Sequence, residues 1–362
     1  MQSVVNSEFV ELLSSLVATP SVSGSESGTA DILCTFLTNH GVDVNRLYNN
    51  VWAKSEGFDN SKKTLLLNSH HDTVRPAGGY TFDPYCGTVD NGKLLGLGSN
   101  DAGGSLVSLM ALFLRFYNTS ELPFNLILAL TAEEETMGEK GMRAMLAEFK
   151  RLGLNIDMVI VGEPTSMQAA IGERGLVVLD GITAGTSGHA ARNEGDNALY
   201  KAIEDIERLR NFKFEKTSPV LGDIKISVTQ IEAGRQHNIV PDSCHFVVDV
   251  RTTDAYTNEQ TVELLQSAVK YSTLTPRSTR VRASAIAENH PLVRAAVAVG
   301  RETFISPTTS DRALLSGIAA LKIGVGESAR SHTADEFVKI TEIEEGIEIY
   351  SSILDKLSRE TL

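Results

Sequence analysis

Three consecutive glutamates, Glu133, Glu134 and Glu135, follow an apolar run at residues 124–132 that is typical of a buried strand. Carboxylates at the end of a buried strand repel one another and lose hydration unless positive charge lies nearby. The next basic residue along the chain is Lys140. A bound metal ion is the natural partner, but an isolated triplet of this kind is more typical of a solvated acidic turn.

The same arrangement recurs along the chain. Apolar strands are predicted at residues 64–68, 158–161 and 318–325, and each is followed by an acid or a histidine: His70, Glu163 and His332, respectively. A further acid, Asp101, lies in the glycine-rich turn at 96–101. In an open α/β sheet, the loops at the carboxyl ends of the strands converge on one crevice. We therefore expect these four side chains and Glu135 to lie close together.

Two imidazoles and three carboxylates form a mixed nitrogen and oxygen donor set that suits zinc or a similar divalent ion. A carboxylate shared by two ions would make a two-metal hydrolytic site, with the ions about 3.5–4 Å apart. Each residue also has a simpler interpretation. His70 could be a hydrogen-bonded loop histidine, Asp101 a helix N-cap and Glu163 a surface acid. Five residues placed alike favour the metal site.

Strands alternate with helices, including an apolar helix predicted at 104–117, which indicates an α/β fold with a mostly parallel sheet covered by helices on both faces. Residues 175–287 differ in character. Strands at 176–183, 224–231, 245–251 and 280–286 and helices at 197–210 and 258–270 give the βαββαβ order of a ferredoxin-like unit. The predicted layout is a discontinuous catalytic domain, residues 1–174 and 288–362, with this smaller domain inserted.

Composition excludes several classes of protein. The chain has 362 residues, 42% of them hydrophobic, and a formal net charge of −13, which disfavours a nucleic-acid partner because phosphate binding needs a basic face. No apolar stretch approaches the roughly 20 residues of a membrane helix. The N-terminal residues lack a basic signal-peptide region, and Cys34, Cys86 and Cys244 are too far apart for a cysteine-pair metal motif. We expect free thiols and a cytoplasmic enzyme.

Several motifs, in this order, carry a resemblance to a known family: residues 70–74 (HHDTV), 101–104 (DAGG), 132–135 (AEEE), 162–165 (GEPT) and 331–332 (SH). With them the chain resembles the M20 family of metallopeptidases and amino-acid deacylases, in the branch of acetylornithine deacetylase and succinyl-diaminopimelate desuccinylase. The resemblance covers nearly the whole chain. It implies a zinc-peptidase-like catalytic domain and an inserted lid that mediates dimerisation.

The resemblance also implies a role for each metal-site residue. One ion, most simply zinc with cobalt as an alternative, would be held by His70 and Glu163, and a second by Glu135 and His332. Asp101 would bridge the two ions. Asp72 would orient the His70 imidazole, and Glu134 would be the general base. If the chain stays extended after the strand, the side chains of Glu134 and Glu135 point to opposite sides.

The inserted domain contributes a second group of matching residues. The resemblance implies that His189 crosses a dimer interface to polarise the scissile carbonyl, and that Asn238 and Arg251 grip the substrate. Arg251 could instead pair with Asp249 or Asp254, and His189 could cap a turn. Arg312 could bind an acyl carboxylate such as succinyl, or it could be a solvent-facing loop residue.

The expected function is hydrolysis of the amide of a small N-acyl amino acid, with N-acetyl- or N-succinyl-ornithine (or citrulline) in arginine biosynthesis as the leading substrate. Glu163 supports this, because the resemblance implies Glu at that position in deacylases and carboxypeptidases and Asp in aminopeptidases. Two alternatives stay open. One is a dipeptidase, tripeptidase or aminopeptidase of the same fold, and the other is a catalytically silent binding protein.

Overall fold

The computed structural model describes residues 2–119, 122–192, 194–315 and 317–360. The helices are α1 (Gln2–Val17), α2 (Ser27–Asn39), α3 (Gly104–Phe116), α4 (Met142–Arg151), α5 (Ala198–Asn211), α6 (Asn258–Ala268), α7 (Pro291–Ala298) and α8 (Ile340–Leu357). The strands are β1 (Asn45–Leu47), β2 (Asn50–Lys54), β3 (Thr64–His70), β4 (Thr88–Asp90), β5 (Lys93–Leu95), β6 (Asn125–Thr131), β7 (Met158–Val161), β8 (Ala169–Glu173), β9 (Gly175–Ala184), β10 (Lys225–Ala233), β11 (Ser243–Thr252), β12 (Ser272–Pro276), β13 (Ser284–Ala285), β14 (Thr303–Ser306), β15 (Ala319–Lys322) and β16 (Phe337–Lys339).

The described chain divides into two compact units. The first comprises Met1–Ile171, Ile286–Ile305 and Ser310–Leu362, and the second comprises Gly172–Ala285 and Ser306–Thr309. The insertion was predicted at residues 175–287, whereas the main segment of the second unit is Gly172–Ala285. The predicted boundaries thus lie three residues too late at the start and two residues too late at the end. Its roles as a lid and in dimerisation stay predictions.

The first unit is built on a sheet in the order β1-β2-β6-β3-β7-β15-β8. The four central strands, β6, β3, β7 and β15, are parallel, whereas β1, β2 and β8 are antiparallel to their neighbours. The sheet is therefore mixed, with a parallel centre, and the expectation of a mostly parallel sheet holds for that centre only. All seven residues of β3 and of β6 are buried, as expected of strands covered on both faces.

Helices pack on both faces of this sheet. On one face, Met142, Met145 and Phe149 of α4 join a buried cluster with residues such as Leu66 and Ile127. The other face is covered by α3, whose residues 104–113 are all buried and which also contacts α1 and α8. Helix α3 begins directly after the turn that carries Asp101, so the packing of this helix fixes the position of the turn.

The second unit has the βαββαβ order of a ferredoxin-like fold. Its sheet runs β10-β11-β9-β12, all antiparallel, and α5 and α6 pack on one face over a core that includes Leu179, Phe246 and Leu265. The prediction that residues 280–286 form the fourth strand of this sheet is wrong. That place is taken by β12, an edge strand of Ser, Thr and Pro with one buried leucine, whose apolar signal is weak. Within 280–286 only β13 is strand, and it pairs with β8.

Two further expectations can be compared with the structure. Cys34, Cys86 and Cys244 are free cysteines, as expected. None of the helices among the described residues combines the length and the apolar character needed to cross a membrane.

Phe149 makes the packing of α4 testable. It is 1% exposed, and its ring stands edge-on to Trp52 with the ring centroids 5.4 Å apart. We expect Phe149→Ala to lower the free energy of unfolding by about 3–5 kcal/mol, because it removes buried area and leaves a cavity. Urea unfolding followed by fluorescence of Trp52, the single tryptophan, measures this.

Leu152 is the C-cap residue that follows this helix, and it is 42% exposed. Leu152→Ala is therefore the matched control, with an expected change within about 0.5 kcal/mol. Equal losses for the two variants would contradict the assignment of the buried face of α4.

Candidate metal centre

The parallel strands at the centre of the sheet end side by side. His70, the last residue of β3, is paired with Thr131, the last residue of β6, and Asn68 of β3 is paired with Val161, the last residue of β7. The residues that follow these ends, Glu134 and Glu135 after β6 and Glu163 after β7, therefore start from one edge of the sheet. This is the geometry of a crevice at the carboxyl ends of parallel strands.

Asp101 reaches the same place from the turn before α3. The turn is an irregular helical segment, Ser99–Gly103, in which Asp101 itself is non-helical with φ −116° and ψ 97°. A cis peptide bond joins Asp101 to Ala102. The Asp101 Oδ1 atom lies 3.3 Å from His70 Nε2, and that nitrogen is also 3.7 Å from Glu163 Oε1. His70 thus faces two of the predicted carboxylate ligands.

His332 completes the group from the loop after β15. It has a left-handed backbone, with φ +60°. Its Nε2 atom is 3.0 Å from Glu135 Oε1 and 3.6 Å from Asp101 Oδ2. Asp101 therefore lies between the two histidines, with one carboxylate oxygen towards each. This is the position that a carboxylate shared by two ions would occupy.

The donor set fits divalent ions. Two overlapping groups have ligand atoms within 4.8 Å of one another, namely His70, Asp101 and Glu135, and His70, Glu134 and Glu163. Imidazole nitrogen with carboxylate oxygen is a donor combination that zinc accepts. The structure thus brings the five predicted ligands into one cluster; their assignment as ligands stays a proposal.

The charges of the two histidines reflect this crowding of acids. Burial lowers the pKa of His70, but hydrogen bonds to Asp101 and Asp72 and the nearby glutamates raise it well above its ordinary value. The hydrogen bond to Glu135 raises the pKa of His332 to about 9, although partial burial opposes this. The cluster therefore stabilises positive charge at two places, and a divalent ion supplies such charge.

The Asp72 carboxylate contacts the loop of Glu134 and Glu135 more closely than it contacts the His70 imidazole. Its Oδ1 atom accepts a hydrogen bond from the Glu134 amide at 3.0 Å, and its Oδ2 atom accepts one from the Glu135 amide at 3.2 Å. The His70 Nδ1 atom lies 3.0 Å from the backbone oxygen of Asp72 and 3.5 Å from its carboxylate. Asp72 thus positions both glutamates through two consecutive amides, a contact that no sequence pattern indicated.

Residues 133–137 form a turn, not an extended segment. Strand alternation is therefore the wrong reason for the separate directions of Glu134 and Glu135. Glu133 has φ +54°, its amide donates to the buried Glu26, and its own carboxylate accepts from the Lys140 amide. Glu133 holds the turn, in agreement with its having no assigned ligand role.

Asp311, a buried acid near the centre, was given no role of its own from the sequence. It is 3% exposed, and its Oδ2 atom accepts a hydrogen bond from the Thr131 hydroxyl at 2.7 Å. Burial raises the pKa of Asp311 to about 6, although this hydrogen bond opposes the shift. Its position beside Thr131 comes from a contact across 180 residues, for which the sequence carries no periodic signal.

Arg312, the next residue, does not face solvent. The interpretation of Arg312 as a solvent-facing loop residue is therefore wrong. Its side chain is 0% exposed, and its guanidinium donates to the backbone oxygens of Ala170 at 2.8 Å and Ile171 at 2.7 Å. The same contacts argue against Arg312 as the residue that binds an acyl carboxylate, because its guanidinium N–H groups donate to backbone oxygens of the protein. It ties the 310–312 segment to β8.

The other predicted substrate residues lie in the second unit. His189 and Asn238 are exposed neighbours, since His189 bridges to Ile239 and the Ala190 amide donates to the Asn238 oxygen at 3.0 Å. The His189 Nδ1 atom accepts from the Ala191 amide at 3.1 Å, so His189 does cap a local turn.

Arg251 is separated from that pair. It lies near the opposite end of β11, eight residues from Ser243 and so about 26 Å away along the strand. Its guanidinium pairs with Asp249, with contacts of 2.8 and 3.2 Å, as one alternative in the sequence analysis held. Within this unit, Arg251 therefore does not share a site with His189 and Asn238.

Comparisons with known proteins agree on one family. The sequence profile of peptidase family M20/M25/M40 matches residues 66–356. Succinyl-diaminopimelate desuccinylase of Delftia acidovorans is 25% identical over 387 residues, covering 98% of this chain and 99% of that protein. Succinyl-diaminopimelate desuccinylase 2 of a Ruegeria species is 26% identical over 271 residues, covering 70% of this chain and 67% of the relative.

The fold also matches solved structures. The aminopeptidase PepT from Bacillus cereus superposes with a TM-score of 0.74 at 18% identity, and the match covers 99% of each chain. At this identity the likeness concerns the fold alone.

The number of bound ions tests the ligand cluster. We expect the intact protein to bind two divalent ions per chain and His332→Ala to bind one, because His70, Glu163 and Asp101 remain for the other ion. Metal analysis after equilibration with zinc or cobalt and removal of free ions measures both. His40→Ala, which changes a histidine exposed at the end of α2, is the control and should retain two ions. Two tightly held ions in His332→Ala would contradict the assignment.

Proposed function

Because the chain belongs to peptidase family M20/M25/M40, whose members are metal-dependent amidohydrolases and peptidases, we propose that it hydrolyses the amide of an N-acyl amino acid. The amine product is proposed to be a diamino acid. The observation that carries the proposal is the cluster of His70, Asp101, Glu135, Glu163 and His332 with the carboxylate of Glu134 beside it.

The proposed centre holds two ions, one on His70 and Glu163 and one on Glu135 and His332, with Asp101 between them. When bound, divalent ions would polarise the substrate carbonyl and offset the charge of the crowded carboxylates. We propose zinc, with cobalt as the alternative, from the mixture of imidazole and carboxylate donors.

Glu134 is the proposed general base. Its Oε2 atom lies 4.0 Å from His70 Nε2 at the edge of the cluster. Burial raises the pKa of Glu134 well above its ordinary value; the charge of His70 opposes this, and the charges of Glu163, Asp311 and Glu135 add to it. A raised pKa suits a base, because the protonated carboxyl can then serve as an acid. Glu134 takes a proton from the attacking water as the new C–O bond forms, and it gives the proton to the nitrogen as the C–N bond breaks.

Two diamino acids are candidates for the product. The relatives named succinyl-diaminopimelate desuccinylase favour N-succinyl-diaminopimelate. They lend no support to arginine biosynthesis as the pathway, although N-acetyl- or N-succinyl-ornithine presents the same bond to the same centre. We therefore propose the class of N-acyl diamino acids and place the succinyl-diaminopimelate type first.

The second unit is proposed to form a homodimer and to bring His189 to the substrate carbonyl of the partner's site. Its edge strand β10 carries the exposed Ile231, and an exposed edge strand is available for pairing with another chain. Asn238 is the proposed contact for the substrate carbonyl next to His189. Arg251 is the proposed contact for a carboxylate, which would require it to leave Asp249.

A panel of substrates tests the proposed reaction. We expect N-succinyl-diaminopimelate, N-acetyl-ornithine or N-succinyl-ornithine to release free amine with zinc or cobalt present, and to be cleaved faster than unmodified dipeptides and tripeptides. Chromatography of the released amino acid measures this. Cleavage of peptides alone would replace the deacylase proposal by the peptidase alternative. Inactivity towards every compound, with metal bound, would favour the silent binding protein.

Glu134→Gln tests the general base separately. It keeps the size of the side chain and removes its ability to accept a proton, so we expect kcat to fall about 10²–10⁴-fold. Metal content should not change, because Glu134 is not a proposed ligand. Glu139→Gln, an exposed glutamate of the same loop, is the matched control and should keep wild-type kcat. Full activity of the Glu134 variant would overturn its role.

A further inference from the structure

Glu336 is a buried acid that the reaction described above does not use, and we propose that it is a positioning residue for Asp101. It lies between the loop that carries His332 and strand β16, and it is 1% exposed. A buried carboxylate needs hydrogen-bond donors or positive charge to offset its lost hydration. The donors that it contacts show what it does. The inference rests on the proposed metal centre, because it assigns the support of the shared ligand.

One oxygen of Glu336 receives two consecutive backbone amides of the Asp101 turn. Its Oε1 atom accepts from the Asn100 amide at 2.9 Å and from the Asp101 amide at 3.0 Å. Both are hydrogen bonds of ordinary length between a backbone amide and an oxygen acceptor. Two such bonds on adjacent peptides restrict the rotation of both peptide planes, and so they fix the direction in which the Asp101 side chain leaves the backbone.

The turn needs such a contact because its own backbone is irregular. Asp101 and Ala102 have non-helical φ and ψ values inside a segment that otherwise leads into α3. A residue in this conformation lacks the regular hydrogen bonds that would hold it in a helix. The Glu336 carboxylate supplies the missing acceptor at the residue whose side chain must face both histidines.

Glu336 is itself firmly held. Its backbone oxygen accepts from the Gly96 amide at 2.9 Å, and the next residue, Phe337, pairs with Leu95 of β5. His332 lies only four residues earlier. The segment 332–336 thus carries one proposed ligand, His332, and also binds the backbone of a second, Asp101. We therefore expect this segment to fix the distance between Asp101 and His332.

Asp72 provides an internal precedent. Its carboxylate accepts the consecutive amides of Glu134 and Glu135 on the other side of the centre. Asp72 and Glu336 therefore have the same role in two different loops. Each is an acid whose carboxyl group accepts hydrogen bonds from two consecutive amides next to a proposed ligand. We infer that Glu336 acts on metal binding and on kcat through Asp101, without touching the substrate.

Two substitutions at this position separate positioning from charge. Glu336→Ala removes the acceptor, and we expect about a 10–100-fold loss of metal affinity, as for other groups that support ligands. Its kcat should fall while KM stays near the wild-type value, and excess zinc or cobalt should restore part of the activity. Glu336→Gln keeps a carbonyl oxygen for the two amides, so its losses should be clearly smaller than those of the alanine variant.

Glu345→Ala, at an exposed position of α8, is the matched control and should match wild type. Metal affinity is measured by calorimetric titration, and circular dichroism confirms that each variant is folded at the temperature used. Wild-type affinity and kcat in a folded Glu336→Ala protein would overturn the proposal, as would equal losses in the alanine and glutamine variants. If the wild type proves inactive on every acyl amino acid, the proposed reaction fails, but the affinity comparison still tests Glu336.

Discussion

The constraint on which this structure depends is the crowding of negative charge at one edge of a sheet. Asp101, Glu134, Glu135, Glu163 and Asp311 lie around one buried histidine, His70. In a poorly hydrated crevice such a group of acids is tolerated only if cations and directed hydrogen bonds compensate it. The central parallel strands make the crowding unavoidable, because their ends lie side by side and each is followed by an acid or a histidine.

Three further acids beside this group are paired with backbone amides. Asp72, Glu26 and Glu336 each accept hydrogen bonds from amides of the loops that carry the clustered acids. These supporting acids stabilise turns with unusual backbone conformations, such as the left-handed Glu133. The acids closest to the two histidines are thereby held in fixed directions, which a flexible loop could not achieve. Rigidity at the metal centre thus comes from a surrounding layer of acids that serve as acceptors.

Sequence patterns predicted the residues that follow strands and missed those that act across the fold. His70 and Glu163 were predicted to join the cluster because apolar runs precede them, and Asp101 because it lies in a glycine-rich turn; the structure does bring the three together. Glu336 contacts a residue 236 positions away, and no local period marks such a pair. Arg312 was misjudged because a charged loop residue is usually exposed, whereas here backbone carbonyls of β8 satisfy it. The weak strand β12 was missed because Ser, Thr and Pro dilute its pattern.

The late position of His332 and Glu336 has a consequence for biosynthesis. A ribosome makes His70, Asp101, Glu134 and Glu163 early, but the segment that completes the cluster is translated only after the whole second unit. The nascent chain therefore carries these four residues without His332 and Glu336 while residues 164–331 are translated. If the proposed centre is right, a chain cut short before residue 332 lacks both the proposed ligand His332 and the proposed support Glu336, and it should not take up two metal ions tightly.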